Sequence, residues 1–210
     1  MKILAFAASS SRKSINKQLI SYASRILLED DINQHENKLK VEILDLNDVE
    51  LPLFSEDREA ELGQPQLAKD FLAKIGESDA VIISFAEHNG SYTVAYKNIF
   101  DWASRINPKV FQNKPMLLLA TSPGPGGASN VLAMATNSAP YFDGEVIASF
   151  SLPSFYENFD SEQGRITNEK LNNQLKSALD QLTVSKHTLL NADKHQVDKQ
   201  QLDSQQAGSL

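Results

Sequence analysis

The chain has 210 residues, of which 41% are hydrophobic and 22% charged, a composition typical of a globular protein with one domain of ordinary size. Its net charge of −7 argues against the basic surface that nucleic acids and anionic membranes require, so we expect neither kind of partner. The absence of cysteine excludes disulfides, thiolate catalysis and cysteine-ligated metals.

Short apolar runs alternate with helix-length segments along the chain. Residues 2–7 predict a buried strand, because this run is shorter than the apolar core of a signal peptide and a serine-rich loop follows at once. Residues 14–29 predict a helix with Ser14 as its cap and the apolar residues on one face. Further strands are predicted over 40–46, 79–85, 115–120 and 145–151, and further helices over 64–76, 93–105, 128–138 and 168–190. Residues 47–63, which include Pro52 and Gly63, are predicted to form a loop.

Five strands alternating with five helices are typical of a parallel sheet with helices on both faces. We predict one α/β domain over residues 1–190, and no segment approaches the length of a membrane span. The polar stretch over 191–210 predicts a mobile tail or a frayed helix extension, with partner binding as the alternative. Ligands of such sheets bind outside the carboxyl ends of the strands, so the loops after residues 7, 85 and 120 are the candidate sites. The pattern itself leaves the strand order open.

The first of these loops, residues 8–16, combines hydroxyls, two cations and the start of a helix. Free N–H groups and the helix dipole attract a phosphate there, and Arg12 can add a bidentate contact. An ordinary serine-rich turn with a capping serine is the alternative. The position directly after the first strand favours the phosphate.

The second and third loops favour contact with a flat ligand. Asn89-Gly90 allows a sharp turn and a close approach of the backbone, and Thr93 can cap the following helix. Residues 121–127 are stiffened by two prolines and opened by three glycines. A glycine–proline turn without a ligand is the alternative for this third loop. It lacks the full G-x-G-x-x-G spacing and follows the fourth strand, and the chain has no P-loop motif.

Together the three loops resemble those of the NADPH-dependent FMN reductase family, which includes quinone and azo-dye reductases. The family's first loop reads G-S-x-R-x-x-S-x-N, and residues 9–16 read SSSRKSIN, one residue shorter. Its second loop reads P-E-Y-N-x-S followed by L-K-N; here it is AEHNGS at 86–91, with YKN at 96–98 and DW at 101–102. Residues 122–127, SPGPGG, are similar to the family's S-P-G-x-x-G-G. Ala86 and His88 stand where the family has proline and tyrosine.

The resemblance covers roughly residues 1–185 and implies a flavodoxin-like, three-layer α/β/α fold with strand order 2-1-3-4-5. It also implies bound FMN. The residues that it assigns to the phosphate are Ser10, Arg12, Ser14 and Asn16. Those that it assigns to the ring are Glu87, His88, Asn89, Gly90 and Ser91 on one side, and Ser122, Gly124 and Gly127 on the other.

The implied function is a reductase in which hydride passes from NADPH or NADH to FMN and then to a small acceptor such as a quinone, an azo compound or a flavin. Such a site needs no catalytic acid–base side chain and no metal. The resemblance further implies a homodimer or homotetramer, and we expect a cytoplasmic location. The alternatives are a flavodoxin-type electron carrier, although the T-G-x-T pattern of carriers is absent, and a regulatory flavin-binding module without turnover.

The helix over 93–105 belongs to the dimer interface in the family. We expect Trp102 to pack in the core or at a subunit interface. Lys97 and Asp101 are four residues apart and are expected to pair on the helix surface.

Overall fold

A computed structural model of the protein describes residues 1–33 and 38–184. The predicted tail over 191–210 and the domain boundary at residue 190 lie outside these residues and stay predictions. The elements of the first half are β1 (Lys2–Ala8), α1 (Ile15–Asn33), β2 (Lys40–Leu44), α2 (Glu56–Leu62), α3 (Gln66–Glu77) and β3 (Ala80–Phe85). Those that follow are β4 (Glu87–His88), β5 (Ser91–Tyr92), α4 (Val94–Ile106), β6 (Lys114–Thr121), α5 (Ser129–Ser138), β7 (Gly144–Leu152), α6 (Phe155–Asn158), β8 (Phe159–Asp160), β9 (Arg165–Ile166) and α7 (169–184).

The large sheet is parallel throughout and has the strand order β2-β1-β3-β6-β7. Counting its strands along the chain gives 2-1-3-4-5, which confirms the order implied by the resemblance. Alternate side chains of each strand point to opposite faces, so the sheet supports two cores. Leu4 and Phe6 of β1 face the core under α3, α4 and α5, whereas Ile3 and Ala5 face the core under α1 and α7. No helix within these described ranges is long and apolar enough to cross a membrane.

The prediction of a continuous loop over 47–63 is wrong, because this segment contains α2 and the end of a 3₁₀ helix at Leu46–Asp48. The Oγ of Ser55 accepts a hydrogen bond from the N–H of Arg58 at the start of α2, and Gly63 ends the helix with a φ of +66°. α2 buries none of its residues, so it has no apolar periodicity from which it could be predicted.

Helix α4 anchors the segment that precedes α2. The indole N–H of Trp102 donates to the Pro52 carbonyl at 2.7 Å, and the side chain is fully buried, which confirms its packing in the core. The Asn98 side chain accepts from the Phe54 N–H at 2.9 Å and donates to the Leu51 carbonyl at 3.1 Å. The K-N-x-x-D-W helix therefore has a structural role. The predicted surface pair of Lys97 and Asp101, at 2.6 Å, is also confirmed.

Candidate functional site

Three loops begin side by side at the carboxyl edge of the sheet. β1, β3 and β6 are neighbours, with Ala8 paired to Phe85 and Phe85 paired to Ala120 near their ends. Beyond these strands the chain enters the loops over 9–14, 86–93 and 122–128. The fold thus brings together the three segments that the sequence singled out, at the edge where ligands of parallel sheets bind.

The first loop presents polar groups beside the N-terminus of α1. Ser10 and Arg12 are exposed. Ser14 is buried, and its Oγ accepts a hydrogen bond from the N–H of Lys17 at 3.3 Å, which confirms it as the cap of α1. Helix geometry leaves the N–H groups of Ile15 and Asn16 without carbonyl partners in the helix, and the dipole adds positive potential. This arrangement suits a phosphate.

The side chain of Asn16 points into the protein and joins the ends of two strands. Its Oδ1 accepts hydrogen bonds from the Ser84 hydroxyl at 2.7 Å and the Thr121 N–H at 3.1 Å, while its Nδ2 donates to the Thr121 carbonyl at 3.1 Å. Asn16, Ser84 and Thr121 are all buried. The amide is therefore engaged within the protein, and Asn16 can offer a ligand in the first loop only its backbone N–H.

The second loop is a two-stranded hairpin. β4 and β5 pair antiparallel across Asn89 and Gly90, whose φ values of +53° and +76° are typical of a type I′ turn. The Thr93 hydroxyl accepts from the Tyr96 N–H at 3.2 Å, which confirms the predicted cap of α4. The same hydroxyl donates to the Ala8 carbonyl at 2.9 Å. The hairpin is therefore held at the end of β1, with its turn projecting from the sheet edge.

Glu87 connects the second loop to the third. Its Oε2 accepts a hydrogen bond from the N–H of Val131 at 2.9 Å, in the first turn of α5. The residue before α5, Ala128, has no side chain that could cap the helix. The carboxylate of Glu87 supplies this cap and lies at the positive end of the helix dipole. Glu87 therefore has a positioning role that the sequence analysis did not identify.

The other hairpin side chains face different ways. His88 and Asn89 are exposed, and the Ser91 Oγ lies 3.9 Å from the sulfur of Met134. The hydroxyl of Tyr92 is 3.0 Å from that of Ser138, and its ring packs beside Phe85. Burial raises the pKa of Tyr92, so its phenol stays neutral at physiological pH. Tyr92 supports the hairpin from within.

Two of the three glycines in the third loop have different surroundings. Gly127 is buried with a φ of +57°, and a Cβ there would lie 2.2 Å from the Ser151 Oγ. A Cβ on Gly124 would meet no protein atom within 4 Å. The Gly124 carbonyl accepts from the Ser154 N–H at 2.9 Å, so the loop is held against the end of β7. The protein itself therefore requires a glycine at 127, whereas the space at 124 remains open for a ligand.

The local charge of the site differs from that of the whole chain. Arg12 and Lys13 lie together on the first loop, although the protein carries a net charge of −7. Over residues 1–33 and 38–184, no group of three or more histidine, aspartate or glutamate side chains is arranged to hold a metal. The site therefore combines two cations and a helix N-terminus at one end with a surface of glycines and hairpin backbone at the other.

Comparison with known proteins agrees with this geometry. The model of the family described as NADPH-dependent FMN reductase matches residues 1–157. An NADPH:quinone oxidoreductase of Arabidopsis thaliana is 31% identical over 145 residues, covering 67% of this chain and 71% of that protein. A 2-hydroxy-1,4-benzoquinone reductase of a Burkholderia species is 28% identical over 185 residues, covering 86% and 93%.

Solved structures agree as well. The flavoenzyme NAD(P)H:(acceptor) oxidoreductase FerB of Paracoccus denitrificans superimposes with a TM-score of 0.62 at 26% identity, covering 87% of this chain and 97% of that one. An azoreductase of Bacillus anthracis superimposes with a TM-score of 0.59 at 15% identity, covering 87% and 99%, and shows the fold alone. The chain belongs to the NADPH-dependent FMN reductase family, and it is an NAD(P)H-dependent reductase that uses FMN.

Proposed function

We propose that the protein reduces a small acceptor of the quinone class with electrons from NAD(P)H, through FMN held at the carboxyl edge of the sheet. The observation that carries this proposal is the convergence of three loops on the adjacent strands β1, β3 and β6. The names of the Arabidopsis and Burkholderia relatives support a quinone as the acceptor. Azo compounds and free flavins, which also accept two electrons, are the alternatives.

The residues present fit FMN. Ser10, Arg12 and the first turn of α1 suit its phosphate, with Ser14 shaping the turn and Asn16 contributing its N–H. On the ring side, we assign the backbone of 87–91 to one wall. The open surface at Gly124, with Ser122 and the backbone of Gly127, forms the other wall.

FMN supplies the hydride-transfer chemistry, and the protein's part is to bind, orient and stabilise charge. We assign to the backbone N–H groups of the turn at Asn89 and Gly90 the role of stabilising negative charge on a reduced ring. The carboxylate of Glu87 is engaged with the Val131 N–H, which keeps its charge at the start of α5. We assign no side chain as a catalytic acid or base.

The purified protein is expected to show flavin absorption, or to acquire it with added FMN, and NADPH without oxygen should bleach the bands. Adding 1,4-benzoquinone should then restore them. Bands that persist with NADPH would identify an electron carrier instead. A protein that takes up no FMN would contradict the assigned site. As matched variants, Arg12→Gln should weaken FMN binding about tenfold, whereas Lys69→Gln, which removes the same charge at an exposed position of α3, should not.

We propose that a second copy of the chain covers the face formed by α4 and α5. A cavity of about 180 Å³ opens between these helices and is lined mainly by aromatic and aliphatic side chains, among them Tyr96 and Phe142. Val94, the first residue of α4, is 67% exposed, and Tyr141, the neighbour in sequence of the lining residue Phe142, is 79% exposed. The family resemblance assigns α4 to such an interface.

NAD(P)H is available in the cytoplasm, and we propose that location for the protein.

A dimeric mass is expected by size-exclusion chromatography with light scattering. Val94→Glu should shift it to a monomeric mass, because the charge would be buried against the partner. An acidic residue in the first turn of α4 is compatible with the helix dipole, so the monomer should stay folded. Ile43→Glu, on the exposed side of edge strand β2, is the control and should leave the dimer intact. A monomeric mass for the unaltered protein would overturn this proposal.

A further inference from the structure

A groove of about 400 Å³ runs along α1 from the first loop to the hairpin formed by β8 and β9. Arg12, Lys13 and Ser14 line the end at the loop, and Tyr22 and Arg25 line the far end with the turn between β8 and β9. The groove is thus continuous with the loop assigned to the FMN phosphate. It lies beside that loop and apart from the glycine surface assigned to the ring.

The charge of this groove is opposite to that of the chain. Its lining, all within the described residues, contains four basic side chains and no acidic one. The Nζ of Lys17 lies 2.5 Å from the Oδ2 of Asp45, so this carboxylate neutralises the charge of Lys17. Arg12 and Lys13 are exposed and form no ion pair with any other described residue. A free positive potential in an acidic protein favours an anionic ligand.

The far end of the groove is already organised. Nη2 of Arg25 donates to the Gly164 carbonyl at 2.8 Å, and its guanidinium lies 5.3 Å from the centre of the Tyr22 ring. The pair between Arg25 and Glu29 is long, at 3.8 Å, and solvent-exposed, so it neutralises the guanidinium only weakly. Burial raises the pKa of Tyr22, so its phenol adds no negative charge. The remaining donors of Arg25 stay available.

We propose that this groove binds the phosphorylated adenosine end of NADPH and that Arg25, at its far end, selects NADPH over NADH; the proposal rests on the function proposed above. When the nicotinamide of NADPH lies against the FMN ring, the rest of the dinucleotide extends from the ring end of the site. Because a dinucleotide is longer than FMN, a donor running alongside the cofactor extends past the FMN phosphate. The groove begins at that point. NADPH differs from NADH by a 2′-phosphate, the kind of group that a basic groove recognises.

The test compares kcat/KM for NADPH and NADH in the FMN-loaded enzyme with excess 1,4-benzoquinone. Arg25→Gln should lower kcat/KM for NADPH about tenfold, the effect of one lost charge-assisted hydrogen bond, and leave that for NADH within about twofold. Arg25→Lys should recover part of the preference, because the charge remains. Lys69→Gln is the control of equal charge, since Lys69 is exposed on α3 outside the groove. FMN content should be unchanged in all of these variants.

A binding measurement separates this inference from the proposed function. Titration calorimetry of the FMN-loaded protein should show that adenosine 2′,5′-bisphosphate binds more tightly than adenosine 5′-monophosphate, and that Arg25→Gln abolishes the difference. Equal binding of the two nucleotides, or equal losses with NADPH and NADH, would overturn the inference while leaving the reductase intact. A protein that oxidises neither NADPH nor NADH would contradict the proposed function. The calorimetric result would still show whether the groove recognises a 2′-phosphate.

Discussion

Replacing Gly127 with alanine is expected to lower the free energy of unfolding by about 2–5 kcal/mol. The left-handed φ of +57° is unfavourable for alanine, and its Cβ would lie 2.2 Å from the Ser151 Oγ and 3.1 Å from the Pro153 nitrogen. The Ser151 hydroxyl donates to the Gly127 carbonyl at 2.7 Å, so moving it away also breaks a hydrogen bond. Chemical denaturation followed by circular dichroism, with the FMN-free protein, measures the loss.

Gly124→Ala is the matched control in the same loop. Its Cβ would meet no protein atom within 4 Å, so the free energy of unfolding should stay within about 0.5 kcal/mol of the original. The same Cβ would occupy space assigned to FMN, so the affinity for FMN should fall. Equal stability losses for the two alanines would contradict the different roles that we assign to Gly127 and Gly124.

Asn16→Leu is expected to lower the free energy of unfolding by about 3–5 kcal/mol, because it leaves buried groups without partners. Leucine is similar in size but supplies no polar atoms. The Ser84 hydroxyl and the N–H and carbonyl of Thr121 would then lose the hydrogen bonds that Asn16 makes with them. FMN affinity should fall as well, because this amide links α1 to the ends of β3 and β6. Denaturation and flavin fluorescence titration measure the two effects.

Ser84→Ala provides the control for Asn16→Leu. It removes the hydroxyl that donates to Asn16, so the loss should be about 1 kcal/mol. In the double variant the hydroxyl no longer needs a partner, so the combined loss should be smaller than the sum of the two single losses. Additive losses would show that the bond between Ser84 and Asn16 contributes nothing.

The sheet and the place of the site could be predicted because they depend on patterns within short segments. Apolar runs of strand length identified all five strands of the large sheet, and the chemistry of the loops indicated the edge at which we place the site. The inward direction of Asn16 had a local signal as well. Asn16 lies on one helical face with Ile20, Ala23 and Leu27, all of them buried, so its spacing placed it among core residues.

The contact between Glu87 and Val131 had no comparable signal. The two residues are 44 positions apart, and their hydrogen bond depends on how the second and third loops meet. The sequence indicates only that Ala128 cannot cap α5, which means that some other group must satisfy its first N–H groups. The close approach of Gly127 to Ser151 depends likewise on the path of β7.

The bond between Asn16 and Thr121 also determines when the site can form during synthesis of the chain. These residues are 105 positions apart, so the ribosome synthesises the first loop long before the strand that completes the edge. β1 must wait for β3, and β3 for β6, because at least one helix is made between each of these strands and its neighbour at the site. We therefore expect FMN to bind late in synthesis. Until β6 has left the ribosome, the nascent chain has an incomplete sheet in which β3 lacks one neighbouring strand.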